Sequence, residues 1–128
     1  MKINGLHHIA VNTVDFEKSI RFYTDILKME FVHEADLGTD YAAYIRYGRD
    51  QYMELFRKKQ TVERQTKDDA EGLRHIAFDV DDVDEWNEYL KEKKVPFNLE
   101  VTNVDAIKKR VLLIEAPDHV IIELCQSV

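Results

Sequence analysis

The spacing of apolar and polar residues changes several times along the chain and divides its first half into one helix and four strands. Between residues 6 and 12, Ile9 and Val11 alternate with His8, a period of two that predicts a strand. After Asp15, a residue type that often caps helices, apolar side chains recur every three or four positions and predict an amphipathic helix. Turn residues then separate three more strands, predicted at residues 30–35, 41–47 and 51–56.

The same succession begins again after residues 58–71, a polar and charged stretch that predicts a linker. A strand at residues 73–80 leads to Asp82 and Glu85, which are spaced like a capping box. The apolar stripe of a second helix follows and ends before Pro96. Three further strands are predicted at residues 96–101, 110–115 and 120–126. The second half therefore repeats the β-α-β-β-β order of the first.

The repeated order predicts the fold class and the domain organisation. With 128 residues, the chain is long enough for one ordinary domain or for two small half-domains that share a core. We predict one α+β domain over residues 1–128, with module one at 1–57, the linker at 58–71 and module two at 72–128.

The repeat is also visible residue by residue. The segments Gly-Leu-His-His-Ile-Ala-Val and Gly-Leu-Arg-His-Ile-Ala-Phe agree, as identical or both apolar residues, at six of seven positions. His8 and His75 therefore stand at the same place in the two segments, 67 residues apart. In the last strand of each half, Glu54 and Glu123 lie 69 residues apart, within Met-Glu-Leu and Ile-Glu-Leu. Two histidines and two glutamates thus occupy equivalent positions in the two halves.

These four residues point away from the strongly apolar face of their strands, because side chains alternate along a strand. If the helices cover the apolar faces, all four lie on the concave face, where internal symmetry would bring both pairs together. Two imidazoles and two carboxylates suit Ni²⁺, Co²⁺, Zn²⁺, Fe²⁺ or Mn²⁺. Taken singly, a strand histidine is more often a hydrogen-bonded core residue, and a strand glutamate is more often solvent-exposed. The recurrence of both residue types in both halves favours a metal site.

Composition and charge exclude several classes of function. A net charge of −7 argues against nucleic acid as a partner, since no Lys/Arg stripe is present to bind a phosphate backbone. No apolar run approaches the roughly 20 residues that a membrane helix needs, and no signal-peptide pattern begins the chain. The single cysteine, Cys125, cannot form an internal disulfide, so we expect a reducing cytoplasm.

Several segments of the chain carry a family resemblance. They are His8-Ile9-Ala10-Val11, Ser19-Ile20-Arg21-Phe22-Tyr23, Met53-Glu54-Leu55, Arg74-His75-Ile76-Ala77-Phe78 and Ala116-Pro117-Asp118-His119 before Ile122-Glu123-Leu124. Together they resemble the vicinal oxygen chelate superfamily, which includes glyoxalase I, methylmalonyl-CoA epimerase, fosfomycin-resistance proteins, extradiol dioxygenases and bleomycin-binding proteins. The resemblance covers essentially the whole chain. It implies the glyoxalase/bleomycin resistance fold, in which two β-α-β-β-β modules form a curved mixed sheet with helices outside.

The resemblance also implies a metal site and a reaction. It implies metal ligands at His8, Glu54, His75 and Glu123, a set most similar to that of glyoxalase I. The short chain resembles bacterial forms that use nickel or cobalt, with zinc, manganese and iron as alternatives. The implied activity is that of a lactoylglutathione lyase, which isomerises the hemithioacetal of an α-oxoaldehyde through an enediolate. Glu123 is then our first candidate for the catalytic base, and Glu54 is its pseudo-symmetric partner.

Three positions depart from the glyoxalase I pattern. Asn12 stands where an arginine typically helps to hold glutathione, and Lys58 stands where an asparagine is typical. His119 replaces the glycine that usually follows Pro-Asp in the last turn. Residues 108–110, which read Lys-Lys-Arg, and Lys58 offer substitute charges, although a solvated charge run is the commoner reading of such residues. The departures favour another thiol or another substrate.

Two alternatives follow from the same resemblance. One is an epimerase or a dioxygenase that acts on a different vicinal-oxygen substrate. The other is a non-enzymatic binding protein of the bleomycin-resistance kind, for which an acidic surface suits a cationic ligand. In this superfamily two modules close one cavity either within a chain or across a dimer, and the linker length permits both arrangements. We expect a homodimer that binds a small molecule.

Overall fold

The structure is a computed structural model that describes residues 1–63 and 69–128. It forms two compact units, Met1–Val62 and Glu63–Val128, and each is described below by itself. Residues 64–68 of the predicted linker lie outside the described residues. The predicted boundaries of the two modules and of the linker stay a prediction.

Module one contains one α-helix and a four-stranded mixed sheet. The strand order is β1-β4-β3-β2, in which β1 runs parallel to β4 and the other neighbours are antiparallel. The helix α1 packs against β4. The elements in chain order are β1 (His8–Thr13), α1 (Phe16–Arg21), β2 (Glu30–Asp36), β3 (Tyr41–Tyr47) and β4 (Gln51–Arg57).

The first helix is shorter than its apolar stripe predicts. Asp15 caps it as expected, because its side-chain oxygen accepts a hydrogen bond from the Lys18 amide at 3.1 Å. After Arg21, however, the chain continues as a π-helical turn, Phe22–Ile26, before Leu27 ends it. Leu27 still lies in the core. The spacing of apolar residues predicts which face is buried but not which backbone hydrogen-bond pattern the turn adopts.

Module two has the same order of elements and the same sheet topology. Its strand order is β5-β8-β7-β6, with β5 parallel to β8 and the other neighbours antiparallel. The predicted strand at residues 73–80 is shorter in the structure, so that His75 immediately precedes it. The elements are β5 (Ile76–Asp79), α2 (Val83–Glu92), β6 (Phe97–Val104), β7 (Lys109–Ala116) and β8 (Val120–Ser127).

Each module buries the aliphatic side of its last strand. Met53 and Leu55 of β4 are fully buried, and so is Ile122 of β8, with Leu124 nearly so. The helix α2 contacts β6, β7 and β8, and its N-cap Asp82 accepts a hydrogen bond from the Glu85 amide at 3.0 Å. The predicted α+β fold of two β-α-β-β-β modules is therefore confirmed, with a four-stranded mixed sheet in each module. Within the described ranges, no helix has the length and apolar character needed to span a membrane.

Candidate metal centre

In module one the sheet register brings His8 and Glu54 together. His8 begins β1, and two residues later Ala10 pairs with Glu54 in the neighbouring parallel strand β4. Because side chains two residues apart lie on the same face, His8 Nε2 comes within 3.8 Å of Glu54 Oε1. The other ring nitrogen of His8 lies 2.9 Å from Nδ1 of His7, so one of these rings donates a hydrogen bond to the other. When His8 is the donor, its Nε2 carries the lone pair that a metal ion needs.

In module two the same register places His75 beside Glu123. Ala77, two residues after His75, pairs with Glu123 across the parallel strands β5 and β8. His75 Nε2 lies 3.2 Å from Glu123 Oε2. The diagonal offset between histidine and glutamate is the same as in module one. In each module the structure thus brings together the two predicted residues, one nitrogen donor and one carboxylate.

The two glutamates differ in burial and in partners. The side chain of Glu54 is 9% exposed and that of Glu123 is 17% exposed. A carboxylate that leaves water so completely needs hydrogen-bond donors to replace its hydration. For Glu54 this donor is Tyr44, whose hydroxyl donates a hydrogen bond to Oε2. Oε1 is therefore the oxygen of Glu54 that faces His8.

Tyr44 is a site residue that the sequence analysis missed. It lies directly opposite Glu54 in the antiparallel pair β3–β4, and its ring stacks on His33 at a centroid distance of 5.1 Å. The hydrogen bond to Glu54 and then burial raise the pKa of Tyr44 above its usual value. The sequence does contain the information that places Tyr44 opposite Glu54, because the turn at residues 48–50 fixes which residues of the two strands face each other.

The residue opposite Glu123 in the sheet is aliphatic. Leu113 of β7 occupies the position opposite Glu123 that Tyr44 occupies opposite Glu54. Cys125 is the next residue of β8 on the same face as Glu123. Burial, and to a smaller extent the charge of Glu123, raise the pKa of its thiol. Cys125 is therefore a neutral thiol at neutral pH, which agrees with the small hydrophobic residue expected from the sequence.

The donor set fits a borderline divalent cation. Each module offers an imidazole Nε2 within 4 Å of a carboxylate oxygen, and nickel, cobalt, zinc, iron and manganese all accept these two kinds of ligand. Among residues 1–63 and 69–128, no further His, Cys, Asp or Glu side chain completes a group of three in either module. A single pair of this kind is a poor site for these ions, which usually take at least three protein ligands.

Three of the four cations that could substitute for the absent arginine have partners within their own modules. Lys58 Nζ lies 2.9 Å from Asp40 Oδ1, and Lys109 donates to the Ser127 hydroxyl at 2.6 Å. Arg110 forms a two-point ion pair with Asp84, at 2.7 and 2.8 Å. That guanidinium also lowers the pKa of the Asp84 carboxyl. These side chains therefore stabilise their own modules and are poorly placed to hold an anionic thiol such as glutathione.

The comparison with known families decides the membership of the chain. The model of the Glyoxalase/Bleomycin resistance protein/Dioxygenase superfamily matches residues 5–124. The chain belongs to this superfamily. The family predicted from the segments of the sequence is therefore confirmed.

Relatives within the glyoxalase superfamily match the chain over nearly its whole length. It is 32% identical to the uncharacterized protein YwkD of Bacillus subtilis (strain 168), over 99% of this chain and all of that protein. It is 26% identical to a probable lactoylglutathione lyase of Synechocystis sp., over 95% of each. Among solved structures, a glyoxalase family protein from Enterococcus faecalis superimposes with a TM-score of 0.83 at 27% identity, over 98% of this chain and 99% of that one. Members of the glyoxalase superfamily are commonly enzymes and typically bind a divalent metal.

Proposed function

We propose that this protein is a divalent-metal-dependent lyase or isomerase of the glyoxalase I type. The observation that supports the proposal is the recurrence of a His–Glu pair at the same register in both modules. His8, Glu54, His75 and Glu123 are the proposed ligands of one ion, and nickel or cobalt is the proposed metal, with zinc, manganese and iron as alternatives. Similarity to the probable lactoylglutathione lyase of Synechocystis sp. supports the same reaction class.

The reaction transfers one proton between neighbouring carbons. When bound, a divalent cation supplies Lewis-acid stabilisation of the negative charge that develops on the two substrate oxygens. The Glu123 carboxylate accepts the proton from the carbon that bears sulfur and returns it to the adjacent carbon, while the hydroxyl proton passes from the first oxygen to the second. The enzyme therefore ends in its starting protonation state. Glu123 suits this role because its ionic contact with His75 is made by one of its two oxygens, Oε2.

Metal analysis and a thiol panel test this function. The protein is purified without chelator, its metal content is measured, and turnover of methylglyoxal is assayed with several thiols and added Ni²⁺, Co²⁺ or Zn²⁺. We expect activity that a chelator abolishes and that added cation restores. Absence of bound metal together with absence of turnover with every thiol would exclude the glyoxalase reaction.

A second candidate is a metal-dependent enzyme of the same superfamily that acts on another vicinal-oxygen substrate. It is favoured by Asn12 in place of the glutathione-binding arginine and by the engagement of Lys58 with Asp40. Epimerisation of an acyl-CoA that persists in the Glu54→Gln variant would support an epimerase. Oxygen consumption with Fe²⁺ and a catechol would support a dioxygenase, and drug binding unaffected by His8→Ala and His75→Ala would support a bleomycin-type binding protein.

We further propose a homodimer in the reducing cytoplasm, since members of the superfamily are often dimers and Cys125 is a free thiol. Light scattering tests the dimer, and a monomer at working concentration would contradict this proposal.

Mixing the His8→Ala variant with the His75→Ala variant then tests whether the two modules of a site come from one chain or from two. If a site combines modules from two copies, a mixed dimer contains one intact site and regains activity. If each site belongs to one chain, the mixture stays inactive.

A further inference from the structure

We propose that Tyr44 is a positioning residue of the metal centre, which restricts Glu54 to presenting Oε1 alone to the cation. The inference rests on the proposed function, because it takes Glu54 as a ligand. Tyr44 touches neither the proposed ion nor the reacting atoms, so its effect passes through Glu54. Tyr44 thereby distinguishes the two glutamates, since Glu54 accepts its hydrogen bond and Glu123 lies opposite Leu113 instead.

The first support is the position of Tyr44 in the sheet. Tyr44 and Glu54 are direct partners across the antiparallel strands β3 and β4, so the backbone fixes their distance. The hydroxyl of Tyr44 donates to Oε2 of Glu54, whereas Oε1 faces Nε2 of His8. A carboxylate that accepts this bond does not rotate freely, and the oxygen without the bond, Oε1, is the one favoured for contact with an ion.

The second support is the packing around the ring of Tyr44. His33 stacks against it with an interplanar angle of 15°, and Tyr52 meets it edge-on at a centroid distance of 6.5 Å. Aromatic neighbours in these two geometries stabilise a ring in one orientation. The hydroxyl therefore stays directed at Glu54. Neither His33 nor Tyr44 is identified by the repeat, since module two has no counterpart of either contact among its described residues.

The third support is the difference between the modules. Leu113, the partner of Glu123 in β7, has no hydrogen-bond donor in its side chain. Glu123 thus lacks the restraint that Tyr44 imposes on Glu54, although both glutamates share the same register with their histidines. The carboxylate that Tyr44 holds suits an anchor for the ion, and the carboxylate that lacks this bond suits the transfer of a proton.

The test compares two tyrosines of the same strand. Tyr44→Phe removes the hydroxyl that contacts Glu54, and Tyr41→Phe, the matched control, removes the hydroxyl that donates to Glu34, which is not a proposed ligand. Each metal-free protein is titrated with Co²⁺, and the visible absorption of the bound cobalt is recorded. Outer hydrogen-bond partners of metal ligands typically change affinity by about 10- to 100-fold. We expect a loss of that size and an altered spectrum for Tyr44→Phe, and neither for Tyr41→Phe.

A double-mutant cycle separates positioning from a general structural effect. If Tyr44 acts through Glu54, Tyr44→Phe changes cobalt affinity in the unmodified protein but not in the Glu54→Gln background. Equal losses in both backgrounds, or unchanged binding by Tyr44→Phe alone, would overturn the assignment while leaving the proposed function intact. Failure of the unmodified protein to bind cobalt would overturn the proposed function and the assignment with it.

Discussion

The two modules have one backbone plan and one arrangement of histidine and glutamate, yet they differ in what surrounds the glutamate. Glu54 in module one accepts a hydrogen bond from Tyr44 and is nearly buried. Glu123 in module two faces Leu113 and is more exposed. The register that defines the pair is therefore separable from the side chains that determine how its carboxylate behaves. A tandem repeat can keep both pairs in place and still give the two halves different chemical tasks.

The difference is confined to side chains, because the sheet topology is the same in both modules. The order β1-β4-β3-β2 corresponds strand for strand to β5-β8-β7-β6. In each case the parallel pair of strands sets the His–Glu offset, and the adjacent antiparallel strand sets the residue that faces the glutamate. Substitutions at equivalent positions are consequently a direct way to compare the modules.

The largest expected effect is a difference in kcat between variants of the two glutamates. At saturating metal, we expect Glu123→Gln to lower kcat by about 10²- to 10⁴-fold, since it removes the proposed proton acceptor. Glu54→Gln is expected to weaken metal binding and to lower kcat less. The measurement is the metal content of each variant together with kcat over a range of cation concentrations. Equal losses of kcat would mean that the two halves are chemically equivalent.

The next effect compares the two cores. Leu55 and Leu124 follow the glutamates directly and are buried at equivalent positions of β4 and β8. Each replacement by Ala is expected to lower the free energy of unfolding by about 2–5 kcal/mol, because a buried cavity remains. Denaturant unfolding of the metal-free variants measures this, with Leu37→Ala, at a side chain 49% exposed, as the control. A loss below about 1 kcal/mol at one position only would show that its core repacks.

A smaller effect compares the starts of the two helices. Asp15 and Asp82 each accept a hydrogen bond from an amide of the first turn. Replacement of either by Ala is expected to lower stability by about 0.5–2 kcal/mol, whereas Asn, which also caps helices, should restore it. Thermal melts of the Ala and Asn variants test this. If Asn fails to restore stability at Asp82, the contribution of that residue is not capping.

The smallest effect concerns the ion pair of Asp84 with Arg110, which joins α2 to β7. Arg110 lowers the pKa of Asp84, so the pair stabilises the folded state above the ordinary carboxyl pKa of about 3.9. This contribution is lost as the pH falls through the lowered pKa. Arg110→Gln should therefore melt slightly earlier than the unmodified protein at neutral pH, and the two melting curves should converge in acid. A difference in melting temperature that is the same at every pH would mean that the effect comes from packing.

Much of the fold follows from the sequence because two periodicities and one repeat act together. The alternation around His8 and Glu54 identifies the strands and the face of each side chain, and the echo at His75 and Glu123 identifies equivalent positions. Both pairs could thus be predicted without knowledge of any distance. The register of the parallel strands then converts equal spacing along the chain into equal contacts in space.

The features that the sequence analysis missed depend on contacts between different elements. Tyr44 becomes significant only when β3 is aligned with β4, and His7 only when its ring meets that of His8. The equivalent positions in the other half carry different residue types, Leu113 and Arg74, so the repeat does not identify them. The π-helical turn Phe22–Ile26 is missed for another reason, since α- and π-helical turns can bury the same apolar residues.

The turn between β3 and β4 has a consequence for engineering. Tyr47 pairs with Gln51, so Gly48, Arg49 and Asp50 alone separate the two strands, and Gly48 has a left-handed φ of 58°. Exposed turns usually tolerate insertions, but here a one-residue slip would turn Tyr44 to the opposite side of the sheet. An exposed segment would then remove a hydrogen bond from the buried carboxylate of Glu54. Loop length in this hairpin is therefore a variable for tuning how that carboxylate is held, and loop grafts at this turn should keep it constant.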